Sequence, residues 1–440
     1  MRRFTFWPLR TGFRGHVAAC VRGSSRPSPP FAAVVIAALG LAGCTSPKGF
    51  LEPVAARAPG TSEVEMLVAT TRMRTTPAEM FSGFRGPALD FADIVVSLPP
   101  DSVRQIGEVQ LPRQIPGDPA TEFVTLKADY NDRPRAMANF RRLVHATPKK
   151  QVLVFVHGFN NHFEDAVFRF AQIVHDSGAE FVPVLFTWPS KGKLSAYGYD
   201  HESASYSRDA LEDGLRFLAK DPEVGKITVL AHSMGNWVTL EALRQMAIRD
   251  GKVAAKIHNV MLAAPDVDID IAREQIMAMG PRARGPHFIL FAAKDDPALA
   301  ISRKLWGEPR LGSIDPDQES CESTPSNQET CRSTLEREGI DVVNLTGATP
   351  SEQLHDAAFE DPQIVKLIGR IESGQTLTES RVGVGEKLTQ ATAGAAVSVG
   401  HAAGLLFAAP VAFVDQDTRE HYGDQIDAFG QSVKDAATPQ

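Results

Sequence analysis

The chain has 440 residues, of which 43% are hydrophobic and 22% are charged, and its formal net charge at pH 7 is −7. This composition is ordinary for a globular protein, and the length suffices for one large or two ordinary domains. The acidic balance, without an evident basic patch, argues against a nucleic acid as a partner.

The first 43 residues have the features of a secretory signal peptide. Residues 1–30 contain six arginines and no acidic residue, and the apolar run FAAVVIAALGLAG follows at 31–43. This run is too short to span a bilayer, which needs about 20 residues. A short apolar run after a basic segment is instead typical of an export signal.

The end of this segment, Leu41-Ala42-Gly43-Cys44, resembles the bacterial lipobox, in which the cysteine is lipidated (palmitate is one such chain) and becomes the mature N-terminus. We therefore expect Cys44 to anchor the protein to a membrane without a spanning helix. Thr45 in the next position resembles lipoproteins sent to the outer membrane, so the predicted location is the outer membrane or its periplasmic face. The alternative is an ordinary signal peptide with a chance cysteine.

Beyond Cys44, residues 44–62 are rich in Pro, Ala, Gly and Ser, which favours a flexible tether. Short β-rich segments follow, and from Gln151 apolar strands alternate with amphipathic helices. In the helix predicted at Ser203–Ala219, leucines recur at helical spacing. The predicted strands are, in order, VEMLVAT, ADIVVSL, EFVTL, QVLVFV, FVPVLFT, KITVLA, HNVMLAA, HFILFAA and IDVVNL.

This alternation predicts an α/β fold with a mostly parallel, doubly wound sheet covered by helices on both faces. The first three strands are expected to extend the same sheet, so that residues 63–375 form one domain. A polar insertion at 313–338 interrupts this domain. An Ala/Gly-rich helical tail is predicted at 376–440.

Residues with catalytic potential follow several of these strands. Parallel α/β sheets carry their chemistry at the carboxyl ends of the strands. Ser233 comes shortly after KITVLA, Asp295 and Asp296 come shortly after HFILFAA, and the loop after the last strand reaches His355. The order Ser, Asp, His is that of the α/β-hydrolase triad.

The segment Ala231-His232-Ser233-Met234-Gly235 matches the nucleophile-elbow pattern G-x-S-x-G except at its first position. The elbow needs small residues there because a strand and a helix pass close together, and Ala231 adds only one methyl group. We therefore interpret Ser233 as a nucleophile in a strained backbone conformation, with the His232 side chain pointing away from it. The alternative is a turn in which Ser233 only caps a helix.

Several segments together resemble a bacterial family of α/β hydrolases of the esterase/lipase superfamily that is largely uncharacterised. The resemblance covers roughly residues 63–373. It implies an α/β-hydrolase fold and a serine-hydrolase mechanism, but it does not supply a substrate. The segments are VATTR, FVHGFNNHFEDAVFRFAQ, FTWPSKGKLSAYGYDHESASYSRD, LAHSMGNW, LAAPDVD and KDDPALAISRKLWG.

His355 is predicted to be the base that deprotonates Ser233. Three aspartates compete to be the acid that orients this histidine. Asp296 is preferred because it follows the penultimate strand and begins a match to the family pattern D-x-A-L. Asp295 is one residue too early for that match, and Asp266 is expected to cap a helix.

The rest of the predicted site lies in loops at the same strand ends. The backbone N–H groups of Phe159 and Met234 are predicted to form the oxyanion hole, with His157 shaping the loop around Phe159 and the substrate pocket. Tyr197, Tyr199 and Asp200 are predicted to line that pocket. The alternative for these three residues is a solvated approach to a helix.

Cys321 and Cys331 lie in a polar stretch, and after export they are expected to form a loop disulfide. Two ligands are too few for a structural zinc site, so we predict no metal, and nothing in the sequence predicts a cofactor. The uncharged stretch 391–414 is expected to form a helical hairpin on the body or on a membrane surface. A membrane-spanning segment is the alternative.

These observations predict a serine esterase that acts at the cell envelope on carboxylic esters or thioesters, either of small molecules or of lipids. A non-catalytic lipoprotein that uses the fold for binding or scaffolding is one alternative, since fold does not imply function. An amidase or acyltransferase with the same triad is another. The oligomeric state is left open.

Overall fold

A computed structural model of the chain describes residues 49–280, 285–317, 330–348 and 354–372. Within these ranges the chain forms a nine-stranded sheet with helices packed on it. The strands are β1 (Ser62–Arg74), β2 (Phe81–Leu98), β3 (Val124–Asn131), β4 (Gln151–Val156), β5 (Val182–Thr187), β6 (Lys226–His232), β7 (Ile257–Ala263), β8 (His287–Ala292) and β9 (Ile340–Asn344).

The helices mostly lie between the later strands, as the alternation in the sequence predicts. They are α1 (Arg133–Ala146), α2 (Phe163–Ser177), α3 (Tyr197–Lys220), α4 (Gly235–Asp250), α5 (Ile269–Ala278), α6 (Pro297–Trp306), α7 (Cys331–Glu338), α8 (Ala357–Glu360) and α9 (Pro362–Glu372). Helix α3 is longer than the predicted Ser203–Ala219, and its three leucines, Leu211, Leu215 and Leu218, are buried as their spacing predicts.

The strand order across the sheet is β3-β2-β1-β5-β4-β6-β7-β8-β9. Strand β1 pairs in parallel with β5, and all the pairs from β5 to β9 are also parallel. Strands β2 and β3 are added in antiparallel orientation at one edge. The prediction that the N-terminal strands extend the same, mostly parallel sheet is therefore confirmed.

Both faces of the sheet carry a hydrophobic core, because most side chains on both faces of the central strands are apolar. In β4, Val152 and Val154 pack into the core on one face, whereas Leu153 and Phe155 pack into the core on the other. Buried side chains of α1, α3 and α4 belong to the first core, and those of α2 and α9 belong to the second. This is the arrangement expected of a doubly wound α/β sheet, and it confirms the predicted α/β-hydrolase fold class.

Part of the segment predicted as a flexible tether packs against this domain. Phe50 and Leu51 are buried, and the ring of Phe50 meets that of Phe168 edge to face at 6.3 Å. The backbone N–H of Val54 donates to the carbonyl oxygen of Thr125 at 2.8 Å. The two apolar side chains in an otherwise small and polar segment are the reason, because their burial stabilises a docked conformation.

Several other predictions fall on residues outside the described ranges and stay predictions. These are the signal peptide at 1–43, the lipidation of Cys44, and the tail at 376–440 with its uncharged stretch. Cys331 is disulfide-bonded, whereas Cys321 lies outside the described residues. Among the helices in the described ranges, none combines the length and the apolar character needed to cross a membrane.

Candidate active site

Ser233 lies at a sharp turn between β6 and α4, as the elbow pattern predicts. Its φ angle is +50°, in the left-handed region that a residue with a side chain rarely adopts. The turn is held by hydrogen bonds to the neighbouring strand end: Ser233 N–H donates to the Ala263 carbonyl at 2.9 Å, and Asp266 N–H donates to the Ser233 carbonyl at 3.2 Å. These hydrogen bonds therefore hold the strained backbone of Ser233 in place, as is typical of functional sites.

The two small residues near the serine, Ala231 and Gly235, differ in whether their surroundings leave room for a side chain. A Cβ atom on Gly235 would lie 2.5 Å from the carbonyl oxygen of His157, so no side chain fits at that position. Ala231 is completely buried within β6, where it pairs with Val156 on one side and Leu262 on the other. The methyl group of Ala231 thus packs in the core. An alanine in place of the first glycine of the pattern does not disturb the elbow.

The histidine and the preferred acid of the sequence prediction meet at the same edge of the sheet. Nδ1–H of His355 donates to Oδ2 of Asp296 at 2.8 Å. The other carboxylate oxygen of Asp296 accepts the first N–H groups of α6, from Ala298 and Leu299, at 2.9 and 3.1 Å. Asp296 therefore caps a helix with one oxygen and orients His355 with the other.

This pair changes the proton affinity of the histidine. Burial lowers the pKa of His355, but the adjacent carboxylate and its hydrogen bond outweigh the burial and raise the pKa to about 9. The bond to Asp296 also selects the tautomer with the proton on Nδ1, which leaves Nε2 as the atom that can accept a proton. Asp296 is 1% exposed, so water screens this interaction little.

Ser233 and His355 line a common cavity of about 330 Å³. The structure has no hydrogen bond between Ser233 Oγ and His355, and such bonds are often long in unliganded enzymes and tighten when substrate binds. The apolar part of the lining comes largely from α6 and from the segment between β2 and β3. It consists of Val109, Leu111, Phe155, Phe159, Phe168, Ala298, Leu299, Ile301 and Leu305.

The oxyanion loop, defined here as His157–Asn161, packs directly against the nucleophile. A Cβ atom on Gly158 would lie 2.9 Å from Cβ of Ser233, so glycine is needed for this approach. Within the described part of the chain, the backbone N–H groups of Phe159 and Met234 donate to no protein acceptor. Two free donors beside the serine are what a developing oxyanion requires.

His157 is buried, and both of its ring nitrogens are engaged. Nδ1–H donates to the Gly158 carbonyl at 2.8 Å, and Nε2 accepts the backbone N–H of Trp188 at 3.1 Å. Burial, together with the nearby guanidinium of Arg72, lowers the pKa of His157 well below its usual range. His157 is therefore a neutral residue at the cavity wall, and its role in an oxyanion hole stays a prediction.

Of Tyr197, Tyr199 and Asp200, the three residues predicted to line the pocket, only Tyr197 lines the cavity. The prediction for Tyr199 is wrong: its hydroxyl donates to the Gly83 carbonyl at 3.1 Å, and its ring faces Arg85 and Lys191. Both tyrosines lie in the first turn of α3, and residues two apart on a helix point in different directions. One cavity can therefore receive only one of them.

Asp266 also lines the cavity, but it does not contact His355. Its carboxylate accepts from the hydroxyls of Tyr197 and Ser302 and from Nε of Arg310, the last at 2.8 Å. The expectation that Asp266 caps a helix is wrong, because Asp268 caps α5 instead. Burial and the adjacent Asp266 carboxylate raise the pKa of Tyr197, which keeps its phenol protonated as a donor.

His232 is a residue whose role the sequence analysis missed. Its side chain lines the same cavity, and its Nε2–H donates to the backbone carbonyl of His355 at 3.0 Å. Burial lowers the pKa of His232 to about 4, so the ring is neutral and can donate in this way. The residue before the nucleophile thus holds the backbone of the residue that would activate it, which its position in the sequence does not reveal.

A comparison with protein families agrees with the fold. A family model described as an alpha/beta hydrolase of unknown function (DUF900) matches residues 133–371. An uncharacterized protein of Nostoc sp., alr1448, is 24% identical over an alignment that covers 24% of this chain and 34% of the Nostoc protein. The chain thus spans about a third of the length of that relative.

A solved structure also resembles part of the chain. The crystal structure of a lipase-esterase related protein from Clostridium acetobutylicum matches with 12% sequence identity and a TM-score of 0.27, over 52% of this chain and 95% of that chain. The family match is the stronger finding, because it covers more than half of the 440 residues. This protein belongs to the DUF900 family of alpha/beta hydrolases.

Proposed function

We propose that this protein is a serine hydrolase that cleaves carboxylic esters or thioesters through an acyl-enzyme, with Ser233, His355 and Asp296 as its catalytic residues. The observation that carries the proposal is the hydrogen bond from His355 to the buried Asp296, at the cavity that Ser233 also lines. The left-handed backbone of Ser233 supports the same assignment, because strain of this kind collects at functional sites.

In the first half of the reaction, Oγ of Ser233 attacks the carbonyl carbon of the ester while Nε2 of His355 takes the hydroxyl proton. Asp296 holds the opposite nitrogen and stabilises the resulting imidazolium. The carbonyl oxygen becomes negatively charged and accepts from the N–H groups of Phe159 and Met234. When the carbon–oxygen or carbon–sulfur bond breaks, His355 returns the proton to the departing alcohol or thiol.

In the second half, water replaces the alcohol. His355 removes a proton from a water molecule, whose oxygen attacks the acyl group on Ser233. The second tetrahedral species uses the same two N–H donors. Its collapse releases a carboxylic acid and returns the proton to Oγ of Ser233.

The cavity supports a compact substrate. Its volume of about 330 Å³ lies near the lower end of the range of roughly 300–1,000 Å³ that is typical of small-ligand sites. The apolar side chains of α6 suit an acyl group, and Leu111 and Leu305 at the wall are 40% and 50% exposed. A small-molecule ester would fit inside, and the acyl chain of a lipid ester would extend past these two leucines.

The nucleophile assignment can be tested with a fluorophosphonate probe. The wild-type protein should be labelled and should hydrolyse p-nitrophenyl esters, and Ser233→Ala should lose both properties. Ser302 is a matched control, since it lines the same cavity but donates to Asp266, and Ser302→Ala should still be labelled. Undiminished labelling of Ser233→Ala would refute the assignment, and an inert wild type would favour a binding or scaffolding protein.

We further propose that the protein is exported and held at the envelope by lipid on Cys44. The support is the sequence of residues 31–44, because a short apolar run that ends in a lipobox favours a lipid anchor. Cys44→Ser should abolish incorporation of labelled palmitate and should move the protein out of the membrane fraction of its host. A wild-type protein that is soluble and carries no lipid in that host would contradict the proposal.

A further inference from the structure

Arg72, in the VATTR segment of β1, is one of the largest completely buried side chains in the described ranges. Its guanidinium forms no salt bridge with any carboxylate there, and burial lowers the pKa of Arg72 to about 10. A buried cation is costly unless each donor finds an acceptor. The position of those acceptors therefore indicates what the arginine does.

The acceptors of Arg72 converge on the oxyanion loop and on the end of β5. Nη2 donates to the Asn161 carbonyl at 2.9 Å and lies 3.3 Å from Nε2 of His157. Nη1 donates to the Ser190 carbonyl at 3.0 Å and to the Ser82 carbonyl of β2 at 3.4 Å, and Nε donates to the hydroxyl of Thr187. One planar guanidinium thus ties the two ends of the oxyanion loop to the segment after the neighbouring strand.

Asp200, which is buried in the first turn of α3, holds the same loop from the other side. Its carboxylate accepts the hydroxyl of Ser190 and the backbone N–H of Lys191, and the Ser190 oxygen in turn accepts the Asn161 N–H at 3.1 Å. Burial raises the pKa of Asp200, and hydrogen bonds from Ser190 and from the backbones of Lys191 and Asn160 oppose that rise. Asn160 itself has a φ angle of +59°, a conformation that external contacts must maintain.

We propose that Arg72 and Asp200 are positioning residues that hold the oxyanion loop so that the N–H of Phe159 points at the reacting carbonyl. This inference rests on the proposed serine-hydrolase function. Donors in an oxyanion hole act only when they are fixed before the reaction. Phe159 lies between Gly158, whose backbone contacts the nucleophile, and the two asparagines that this network holds.

A role limited to stabilising the sheet explains the contacts less well. The pairing of β1 with β5 runs from Leu67 and Val184 to Thr70 and Thr187, so it is complete before Arg72. Three of the five acceptors of Arg72 lie outside the strands, two of them in the oxyanion loop and one at Ser190. The contacts with Ser82 and Thr187 attach Arg72 to β2 and β5, and the remaining contacts fix the oxyanion loop and the segment after β5.

The test compares Arg72→Lys, Asp200→Asn and Ser190→Ala with the wild type on one p-nitrophenyl ester. Each variant that folds should lower kcat, by about 100-fold for the first two, with KM nearly unchanged. The affinity for a trifluoromethyl ketone, which forms a tetrahedral oxyanion on serine, should fall by the same factor as kcat. Loss of general stability alone would not produce this parallel loss with KM preserved.

Arg74→Met is the matched control, because Arg74 lies two residues further along β1 and pairs with Asp90 at the surface; its kcat should equal that of the wild type. Wild-type kcat and inhibitor affinity in a folded Asp200→Asn or Ser190→Ala variant would overturn the inference while leaving the serine-hydrolase proposal intact. If Arg72→Lys does not fold, these two variants decide. A wild type that neither hydrolyses esters nor binds the ketone would remove both proposals.

Discussion

Asp266 and Asp296 follow neighbouring strands, β7 and β8, and both are almost completely buried, with 5% and 1% of their surface exposed. Their partners differ. The Asp266 carboxylate accepts from the Arg310 guanidinium and from the hydroxyls of Tyr197 and Ser302. The Asp296 carboxylate accepts two backbone N–H groups on one oxygen and His355 on the other.

This difference shows that burial at a strand end does not by itself make a carboxylate an acid of a triad. Asp266 compensates a buried cation, so its charge is needed to balance Arg310. Asp296 is compensated by neutral helix N–H groups, so its charge is available to a histidine. The first aspartate is an anchor for the wall of the cavity, and the second can tune the proton affinity of a base.

The largest effect should come from Asp296→Asn. The amide cannot stabilise the His355 cation and favours the wrong tautomer, so kcat on an ester should fall by about 10⁴-fold with the fold intact. Steady-state kinetics and circular dichroism would measure this. Asp295→Asn is the matched control, because Asp295 is the adjacent aspartate and is exposed, and its kcat should match that of the wild type.

Asp266→Asn should affect stability more than turnover. Loss of the carboxylate leaves the Arg310 guanidinium buried without a counter-charge, which we expect to cost about 3 kcal/mol in the free energy of unfolding. Urea denaturation would measure this cost, and kcat should fall much less than in Asp296→Asn. A variant of unchanged stability with the larger loss of turnover would transfer the acid role to Asp266.

The two aspartates should also differ in their effect on the pH dependence of activity, although this effect is smaller than the loss of kcat. The base must be neutral to accept the serine proton, and Asp296 contributes most to raising the pKa of His355 to about 9. Activity should therefore rise with pH to a midpoint near 9, and in Asp296→Asn the midpoint of the residual activity should move down toward 6.5. Asp266 contributes less to the same rise, so Asp266→Asn should leave the midpoint close to the wild-type value.

The raised pKa of His355 should also make the stability of the fold depend on pH. The folded state raises the pKa of His355 from 6.5 to about 9, so it favours the protonated ring more than the unfolded chain does. The stabilising contribution of this histidine is complete below about pH 6.5 and is lost as the pH rises through 9. Denaturation midpoints of the wild type and of Asp296→Asn should therefore converge at alkaline pH, and parallel curves would contradict the assigned pKa.

Much of the fold could be predicted because it depends on local patterns. Runs such as QVLVFV and KITVLA are short, mostly apolar and rich in β-branched residues, which favours strands buried on both faces. The same patterns place Ser233, Asp296 and His355 after β6, β8 and β9, and parallel strands bring their carboxyl ends to one edge. A close pairing of His355 and Asp296 is then a consequence of topology.

The remaining parts of the site depend on contacts between residues distant in the chain. Arg72 reaches Asn161, 89 positions away, and Asp266 reaches Arg310, 44 positions away. No pattern within β1 indicates that an arginine near its end is buried. The sequence favours Asp266 as a helix cap, but Asp266 binds the distant Arg310 and Asp268 caps α5.

The sequence by itself determined the class of fold, the strained serine and the order of the three candidate catalytic residues, because apolar periodicity and turn chemistry act over a few neighbouring residues. Only the tertiary structure decided which aspartate faces the histidine, which of Tyr197 and Tyr199 lines the cavity, and what holds the oxyanion loop. Those outcomes depend on the rotation of each helix and on which polar groups are left to satisfy one another once the strands have packed.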